Sequence, residues 1–137
     1  MNIVLTLDNN YCQHAAVVIT SVCYNNPQNH TFFIITDYIS EHNITILSKL
    51  VQSYNSTIIF HNIDLNLIKD FPIGMHTANT YVTLATYYRL FIVDLLPSNI
   101  NKVLYLDCDL VINGSLKELW NWKFKESACI AAVEEQL

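Results

Sequence analysis

Glycine is scarce in this sequence, which contains only Gly74 and Gly114 among its 137 residues. Neither lies in the loop after the first apolar segment, so that loop cannot be a G-x-G-x-x-G turn, in which the backbone approaches a pyrophosphate closely. The chain also lacks the glycine-rich P-loop motif. These absences disfavour a dinucleotide-binding enzyme of the glycine-rich type and a P-loop enzyme.

Basic residues are also few, since seven Lys and Arg stand against twelve Asp and Glu and give a net charge of −5. They are spread along the chain and form no basic stripe. We therefore expect no nucleic-acid partner, because nucleic-acid binding depends largely on neutralising phosphates. A negatively charged ligand would have to arrive with a metal ion.

Long hydrophobic runs are absent as well. The sequence has no 18 consecutive apolar residues and no basic N-terminal region of a secretory signal, so we expect no membrane span and predict a cytoplasmic protein. The four cysteines, Cys12, Cys23, Cys108 and Cys129, show no C-x-x-C spacing. Their pattern is more typical of buried, reduced thiols than of a disulfide or zinc framework.

Apolar segments that alternate between strand-like and helix-like patterns make up most of the chain, which is 52% hydrophobic and 14% charged. Continuous apolar runs of this kind, joined by short connections, predict an α/β domain with a Rossmann-like, mostly parallel sheet and helices on both faces. We expect a long loop over 62–79 and a helical segment over 80–96. The predicted strands cover residues 2–7, 31–36, 57–61, 103–106 and 128–133.

The stretch KVLYLDCDLVINGSL, residues 102–116, contains the strongest candidate site. A buried strand over 103–106 would deliver Asp107, Cys108 and Asp109 to the carboxyl edge of the sheet, where open α/β sheets bind ligands. If the chain stays extended there, Asp107 and Asp109 point to one side and Cys108 to the other. Adjacent carboxylates repel, and a divalent cation relieves that repulsion. An isolated Asp-x-Asp is more often a solvated turn, but its position after an apolar strand favours a metal site.

The loop after the first strand contains Asp8, Asn10 and Tyr11. An acceptor can pair with a base, and an aromatic ring can stack on it. Taken alone, the loop is more typical of a plain turn with a helix cap. In a Rossmann-like order, however, the first strand usually neighbours the strand that here carries Asp107, which would bring both loops to one crevice.

Arg89 lies in TYYRLFIV, a helical segment that is otherwise aromatic and aliphatic. A buried guanidinium needs an anion, because an unpaired buried charge costs several kcal/mol. Two alternatives remain open: a surface arginine whose stem covers apolar residues, or a side chain that points into the crevice towards Asp107, Asp8 or a bound phosphate or sugar.

Four segments together resemble the bacterial members of glycosyltransferase family 8: IVLTLDNNY at the N-terminus, DYISEHN, TYYRL and VLYLDCDLVINGSLKELW. These are lipopolysaccharide galactosyl- and glucosyltransferases, with glycogenin as a more distant relative. The resemblance covers essentially the whole chain, in the right order and spacing. It implies a GT-A fold and a UDP-sugar donor, with Mn²⁺ or Mg²⁺ held by the Asp-x-Asp motif.

The resemblance also implies roles for individual residues. Leu7 and Asn9 stand where relatives often have alanine and aspartate, and we expect these two changes to have little effect. We expect Cys108, like Asp107, to contact the substrate. By this resemblance, the uracil would be held by Asp8, Asn10 and Tyr11, the donor sugar would be reached by Arg89, and the metal would be bound by Asp107 and Asp109.

The implied activity is metal-dependent, retaining transfer of a hexose from UDP-glucose or UDP-galactose to a saccharide acceptor such as lipopolysaccharide. The family domain continues beyond the point that corresponds to Leu137, where it supplies a third metal ligand and the groups around the acceptor. We therefore expect residues 1–137 to be the N-terminal nucleotide-sugar half, truncated and inactive alone, with its catalytic residues unknown. We also expect a homo-oligomer through the exposed C-terminal edge around 128–133.

Two other classes remain as alternatives. DCDLVI after an apolar strand is similar to the nucleophile motif of haloacid-dehalogenase-type phosphatases, with Asp107 attacking and Asp109 as acid and base. That motif should open its domain, and too little chain follows it here. A non-catalytic, receiver-like metal-binding module would need a phospho-acceptor aspartate after the third strand and an acidic pair after the first. Asp64 with a single Asp8 matches that pattern poorly.

Overall fold

The computed structural model describes residues 1–77, 80–125 and 128–132. Its strands and helices alternate along most of the chain, as the sequence predicted. Short 3-10 helices cover Asn9–Tyr11, Leu65–Leu67 and Leu84–Phe91. The other elements are β1 (Asn2–Thr6), α1 (Cys12–Asn25), β2 (Thr31–Thr36), α2 (Glu41–Ser53), β3 (Thr57–Asn62), β4 (Gly74–Thr77), β5 (Thr80–Val82), α3 (Ile92–Leu95), β6 (Leu104–Tyr105) and α4 (Lys117–Trp120).

The main sheet has four parallel strands in the order β3-β2-β1-β6. β1 pairs with β2 over its whole length, and on its other side the register is Ile3↔Leu104 and Val4↔Tyr105. The placement of β1 beside the strand that precedes Asp107 confirms the predicted order. Since all four strands are parallel, the loops after β1 and β6 leave the sheet at the same edge.

Both faces of the sheet are covered, which confirms the prediction of helices on both sides. Successive residues of a strand point to opposite faces. Ile3 and Leu5 of β1 therefore join the core beneath α1 and α2. Val4, between them, packs on the other face with Tyr88 from the 3-10 helix Leu84–Phe91. The continuous apolar runs of β1 and β2 are explained by this burial on two sides.

The region that we predicted as a loop over 62–79 and a helix over 80–96 differs from the prediction. β4 and β5 form an antiparallel hairpin, and residues 78–79 between them lie outside the described residues. Gly74 begins the hairpin with a φ of +111°, a backbone conformation that residues with a Cβ atom rarely adopt. Helical structure begins only at Leu84, and it consists mainly of 3-10 turns before α3. The β-branched Thr80 and Val82 favour the strand that replaces the first predicted helical turn.

The C-terminal region also differs from the prediction. β6 spans two residues instead of the predicted 103–106. Residues 128–132 form no strand, and Val133 lies outside the described residues. A strand requires a neighbour for its backbone groups. The chain after α4 instead passes β6 irregularly, where Trp120, Phe124 and Ala131 border a small cavity beside Leu104. Ile130 is consequently 86% exposed.

Two predictions from composition can be compared with the structure. All four cysteines are free thiols, as predicted. Cys12 and Cys23 are buried and Cys108 is half-buried, whereas Cys129 is exposed, contrary to the prediction of buried thiols. The longest helix in the described part of the chain is α1, with 14 residues. No helix of the described residues has the length and apolar character needed to cross a bilayer.

His30 is a buried titratable group at the start of β2. The ring is 2% exposed, and its Nε2 lies 2.8 Å from the carbonyl oxygen of Asn26, to which it donates. Burial lowers the pKa of His30 from its usual value, and the hydrogen bond to Asn26 opposes this only in part. The folded protein therefore holds His30 neutral at pH values where the unfolded chain already binds a proton.

We predict that this histidine makes stability fall in mild acid. Its folded-state pKa lies below the unfolded value, so its contribution is present above about pH 6.5 and is lost as the pH falls below that value. Urea unfolding at pH 7.5 and 5.5 should show a smaller pH dependence for His30→Gln than for the wild type. The control is His42→Gln, at an exposed position of α2, which should keep the wild-type change in the free energy of unfolding between the two pH values. An equal change in all three proteins would contradict the prediction.

Candidate functional site

An open crevice of about 370 Å³ lies at the carboxyl ends of β1 and β6. Its walls come from the loop after β1, the 3-10 helix Leu84–Phe91 and the loop after β6. Most of the predicted site residues line it together, although they are up to about 100 positions apart in the chain. Those in the crevice are Asp8, Tyr11, Arg89, Asp107, Cys108 and Asp109.

Asp107 is held by two neighbours through one carboxylate oxygen. Arg89 Nη2 lies 3.3 Å from Asp107 Oδ1, and the hydroxyl of Tyr105 donates to the same oxygen at 2.8 Å. The guanidinium also lies 5.0 Å from the centre of the Tyr105 ring, and its Nε donates to the Thr86 carbonyl at 3.0 Å. The second alternative for Arg89 is thus confirmed: it points into the crevice at Asp107.

The ion pair orients these groups more than it stabilises the fold. The Arg89 and Asp107 side chains are 42% and 49% exposed. Exposed ion pairs contribute about 0 to 1 kcal/mol, because water and salt screen them. The ion pair fixes the position of Arg89, the one basic residue of the Leu84–Phe91 helix, beside the Asp107 carboxylate that follows β6.

Tyr105 is a site residue that the sequence analysis missed. Its hydroxyl lies 3.2 Å from Thr6 Oγ1 on β1 as well as 2.8 Å from Asp107. Burial raises the pKa of Tyr105 to about 12, so the hydroxyl remains a donor at neutral pH. The signal was available, because residues i and i+2 of a strand share a face. Tyr105 therefore had to lie on the same side as Asp107.

Cys108 and Asp109 do not continue the extended strand, which corrects a premise of the sequence analysis. The chain turns at these two residues. Cys108 lines the crevice, and it also packs against the core beneath α1. Burial, and next the Asp109 carboxylate, raise the pKa of Cys108 to about 11. Its side chain is therefore a neutral thiol in the crevice wall at neutral pH.

Asp107 and Asp109 fit part of a hard-cation site. Carboxylate oxygens suit Mg²⁺ and Mn²⁺, and Mg²⁺ commonly takes one or two protein carboxylates and completes its shell with water and substrate phosphates. Within the ranges that the structure describes, no third His, Cys, Asp or Glu joins them in a cluster able to hold a metal. The two carboxylates would therefore supply part of the ligand set of such a cation.

The loop after β1 is built around a short cap. Asp8 Oδ1 accepts hydrogen bonds from the backbone N–H groups of Asn10 at 2.8 Å and Tyr11 at 3.2 Å. Tyr11 is 45% exposed, and its ring centre lies 5.2 Å from that of His14. Asn10 is exposed and does not line the crevice, so its predicted contact with a base stays a prediction. The turn with a helix cap that the sequence favoured is therefore present. Asp8 and Tyr11 nevertheless both line the crevice.

Asn9 has a structural role that the sequence analysis did not foresee. Its Oδ1 accepts hydrogen bonds from the Ser40 backbone N–H and from Asn43 Nδ2, both at 2.9 Å. Ser40 is the N-cap of α2, and its hydroxyl accepts from the Asn43 backbone N–H at 3.3 Å. Asn9 thus joins the crevice loop to the start of α2. These contacts oppose the expectation that the identity of residue 9 has little effect.

Comparison with known proteins finds one family throughout the chain. The model of glycosyl transferase family 8 matches residues 2–137. A lipopolysaccharide 1,2-glucosyltransferase of Escherichia coli is 37% identical over 126 residues, which are 91% of this chain and 36% of that protein. A lipopolysaccharide 1,3-galactosyltransferase of Salmonella typhimurium is 33% identical over 135 residues, 98% of this chain and 39% of that protein.

The fold has a close counterpart among solved structures. A crystal structure of the galactosyltransferase LgtC in complex with donor and acceptor sugar analogs superposes with a TM-score of 0.79 at 27% identity. The match covers 90% of this chain and 43% of that one. The chain thus spans less than half the length of each of these relatives.

The role of Asn9 gives a test of how the crevice loop is held. Asn9→Ala removes the acceptor of the Ser40 backbone N–H and the shorter of two hydrogen bonds from Asn43 Nδ2, which keeps the Asn9 carbonyl at 3.3 Å. We expect a loss of about 1 to 2 kcal/mol in the free energy of unfolding. Asn9→Asp keeps an acceptor, and its charge is favourable at a helix N-terminus, so most of the stability should remain. Urea unfolding measures both.

The control for this test is Asn66→Ala, which removes an exposed side-chain contact to Asp64. It should change stability by less than about 0.5 kcal/mol. A loss in Asn9→Ala no larger than this control would contradict the assigned role.

Proposed function

Because the chain belongs to glycosyl transferase family 8, we propose that it is the donor-binding part of a hexosyltransferase that takes UDP-glucose or UDP-galactose. The proposed reaction is transfer of the hexose, with retention at the anomeric carbon, to a saccharide acceptor such as lipopolysaccharide. Membership of this family rules out the phosphatase and receiver-like alternatives. A cytoplasmic location belongs to the same proposal, and association through the region around Ile130 stays a prediction.

The observation that carries this proposal is the convergence of the two loops. Asp8 and Tyr11 from β1 meet Arg89, Asp107 and Asp109 in one crevice. An aromatic ring, a cation and a pair of carboxylates are the groups needed to bind a base, a sugar and a metal-bound diphosphate, respectively. The relatives named as glucosyl- and galactosyltransferases support the choice of hexose donor.

Each group has a definite task in the proposed site. Asp107 and Asp109 would hold Mn²⁺ or Mg²⁺, which when bound supplies positive charge to the departing diphosphate. Tyr105 fixes the orientation of Asp107 through the hydroxyl that donates to Oδ1. Arg89, held at the Thr86 carbonyl, keeps a guanidinium at the crevice wall for the donor sugar or its phosphates.

The base end of the site has a similar division of tasks. Tyr11 presents a ring that is 45% exposed, and a base can stack on it. Asp8 fixes the turn that carries this ring, and its carboxylate also faces the crevice. A carboxylate accepts hydrogen bonds only, so Asp8 can accept from the imide N3–H of a uracil placed against Tyr11.

We expect UDP to bind this chain only together with a divalent cation, because a protein of net charge −5 repels a free diphosphate. Calorimetry of UDP with Mn²⁺, and again with excess EDTA, measures this dependence. Asp109→Asn should weaken UDP binding on the order of 10-fold or more, as loss of metal-site contacts usually does.

The matched control is Asp94→Asn, which makes the same charge change at an exposed position of α3 outside the crevice. It should bind UDP as the wild type does. Equal affinity for UDP in Mn²⁺ and in EDTA would sink the metal-bridged donor site.

We also predict that Tyr11 supplies affinity and Asp8 supplies selectivity. Tyr11→Ala should weaken UDP, ADP and GDP alike, by the 1 to 3 kcal/mol typical of a stacked base, whereas Tyr11→Phe should keep most of the affinity. Asp8→Ala should narrow the difference between UDP and the other nucleotides. Competition calorimetry in Mn²⁺ reports both effects.

Asp8→Ser separates selection of the base from capping of the turn. Serine keeps an N-cap acceptor, so the loop is retained while the carboxylate is lost, and selectivity should still fall. Undiminished preference for UDP in Asp8→Ser, or a UDP complex whose base lies away from Tyr11, would contradict the assignment.

A further inference from the structure

Polar side chains at the C-terminal end of α1 hold the chain segment that follows the two aspartates. Ser21 Oγ accepts from the backbone N–H of Ile112 at 3.0 Å, and Asn25 Nδ2 donates to the carbonyl of Ile112 at 2.8 Å. Both backbone groups of one residue are thus bonded to side chains about 90 positions earlier in the chain. The Ser21 hydroxyl donates in turn to the Val18 carbonyl at 2.8 Å, which orients its lone pairs.

Asn26, the next residue and the C-cap of α1, extends this attachment to Gly114 and Leu116. It is 2% exposed, accepts from the Leu116 backbone N–H at 2.7 Å and donates to the Gly114 carbonyl at 3.3 Å. Residues 112–116 contain no helix or strand of their own, so these side chains take the place of a backbone ladder. The path of the chain after the aspartates is set by α1.

The loop 107–111 is therefore fixed at both ends. At its start, the backbone N–H of Leu106 donates to the Val4 carbonyl at 3.1 Å, which extends the β1–β6 ladder. At its end, Ile112 is held by Ser21 and Asn25. Between these points the loop contains no helix or strand, and it carries Asp107, Cys108 and Asp109 into the crevice.

A loop with this content needs both attachments. Asp107 and Asp109 are like charges close together, and a loop that was free at one end would relieve their repulsion by moving them apart. Fixing both ends removes those conformations before any ligand arrives, which lowers the ordering cost of binding. Neither Ser21 nor Asn25 lines the crevice, so neither can act by touching the ligand.

We propose that Ser21 and Asn25 are positioning residues, which hold Asp107 and Asp109 in binding geometry by fixing both backbone groups of Ile112. The anchoring of the loop stands on the hydrogen bonds alone. Its consequence for a divalent cation and a nucleoside diphosphate rests on the function proposed above.

The test uses Ser21→Ala and Asn25→Ala, singly and together, in the 137-residue chain. Amide ¹⁵N relaxation of Asp107, Cys108 and Asp109 reports the mobility of the loop. In the double variant their order parameters should fall from the value of about 0.85 expected of rigid backbone to below about 0.6, and those of β2 should not change. The dissociation constant of UDP in Mn²⁺ should rise about tenfold.

Two variants separate positioning from a general loss of stability. Ser53→Ala removes a hydroxyl that donates to the carbonyl three residues earlier in α2, at 2.7 Å, as Ser21 does in α1. It should leave both loop mobility and UDP affinity as in the wild type. Ser21→Thr keeps the hydroxyl and should restore both measurements.

The outcomes distinguish this inference from the function on which part of it rests. A loop as rigid in the double variant as in the wild type overturns the anchoring, and a mobile loop with wild-type affinity for UDP overturns the positioning role. A wild-type chain that binds no UDP with Mn²⁺ counts against the proposed donor site, whereas loosening of the loop in the same experiment still supports the anchoring.

Discussion

The pairing of β1 with β6 is the interaction on which the site depends. It is short, with two residue pairs and one further hydrogen bond from Leu106 to Val4. Yet it joins parts of the chain about 100 residues apart and places the loops after both strands at one edge. Bringing such distant segments together costs chain entropy. The rest of the sheet must offset this unfavourable free energy. The burial of β1 and β2 on both faces supplies that support.

The scarcity of glycine explains how the crevice is built. A glycine-rich loop would let the backbone itself approach a phosphate. Here the loop after β1 is fixed by side chains instead, through the Asp8 cap and the contacts of Asn9 with α2. The loop after β6 is fixed in the same manner by Ser21 and Asn25. Rigid loops of this kind present side chains to a ligand.

The sequence predicted the parts of the fold that depend on continuous burial. The strands from 2, 31 and 57, the helices between them and the cap at Ser40 follow from apolar pattern and N-cap chemistry. The hairpin of β4 and β5 was missed because two short strands pair only with each other and leave a weak periodic signal. The described residues 128–132 of the segment predicted as a strand over 128–133 form none, since an apolar run forms a strand only beside a partner.

The residues of the candidate site also divide into those that local sequence pattern reveals and those that it does not. The sequence singled out several residues because charged or aromatic side chains at strand ends stand out against apolar surroundings. The structure brings five of them to one crevice: Asp8, Tyr11, Arg89, Asp107 and Asp109. Tyr105 and Asn9 were missed, because a tyrosine in an apolar strand looks like core and an asparagine in a polar loop looks like solvent-exposed chain. Their partners lie far away in the sequence, at Thr6 and at Ser40 respectively. Pairing between distant residues is information that local pattern does not contain.

The contact between Arg89 and Asp107 gives the crevice a built-in counter-ion. A cation that bound Asp107 through Oδ1 would therefore compete with Arg89 for that oxygen. The hydrogen bond from Arg89 Nε to the Thr86 carbonyl does not involve Asp107 and would hold the guanidinium near the crevice wall. In the proposed complex, a guanidinium released from Asp107 would be available to pair with the diphosphate. Three carboxylates and one guanidinium line the crevice and sum to a formal charge of −2, so a bound divalent cation would neutralise it before the diphosphate is counted.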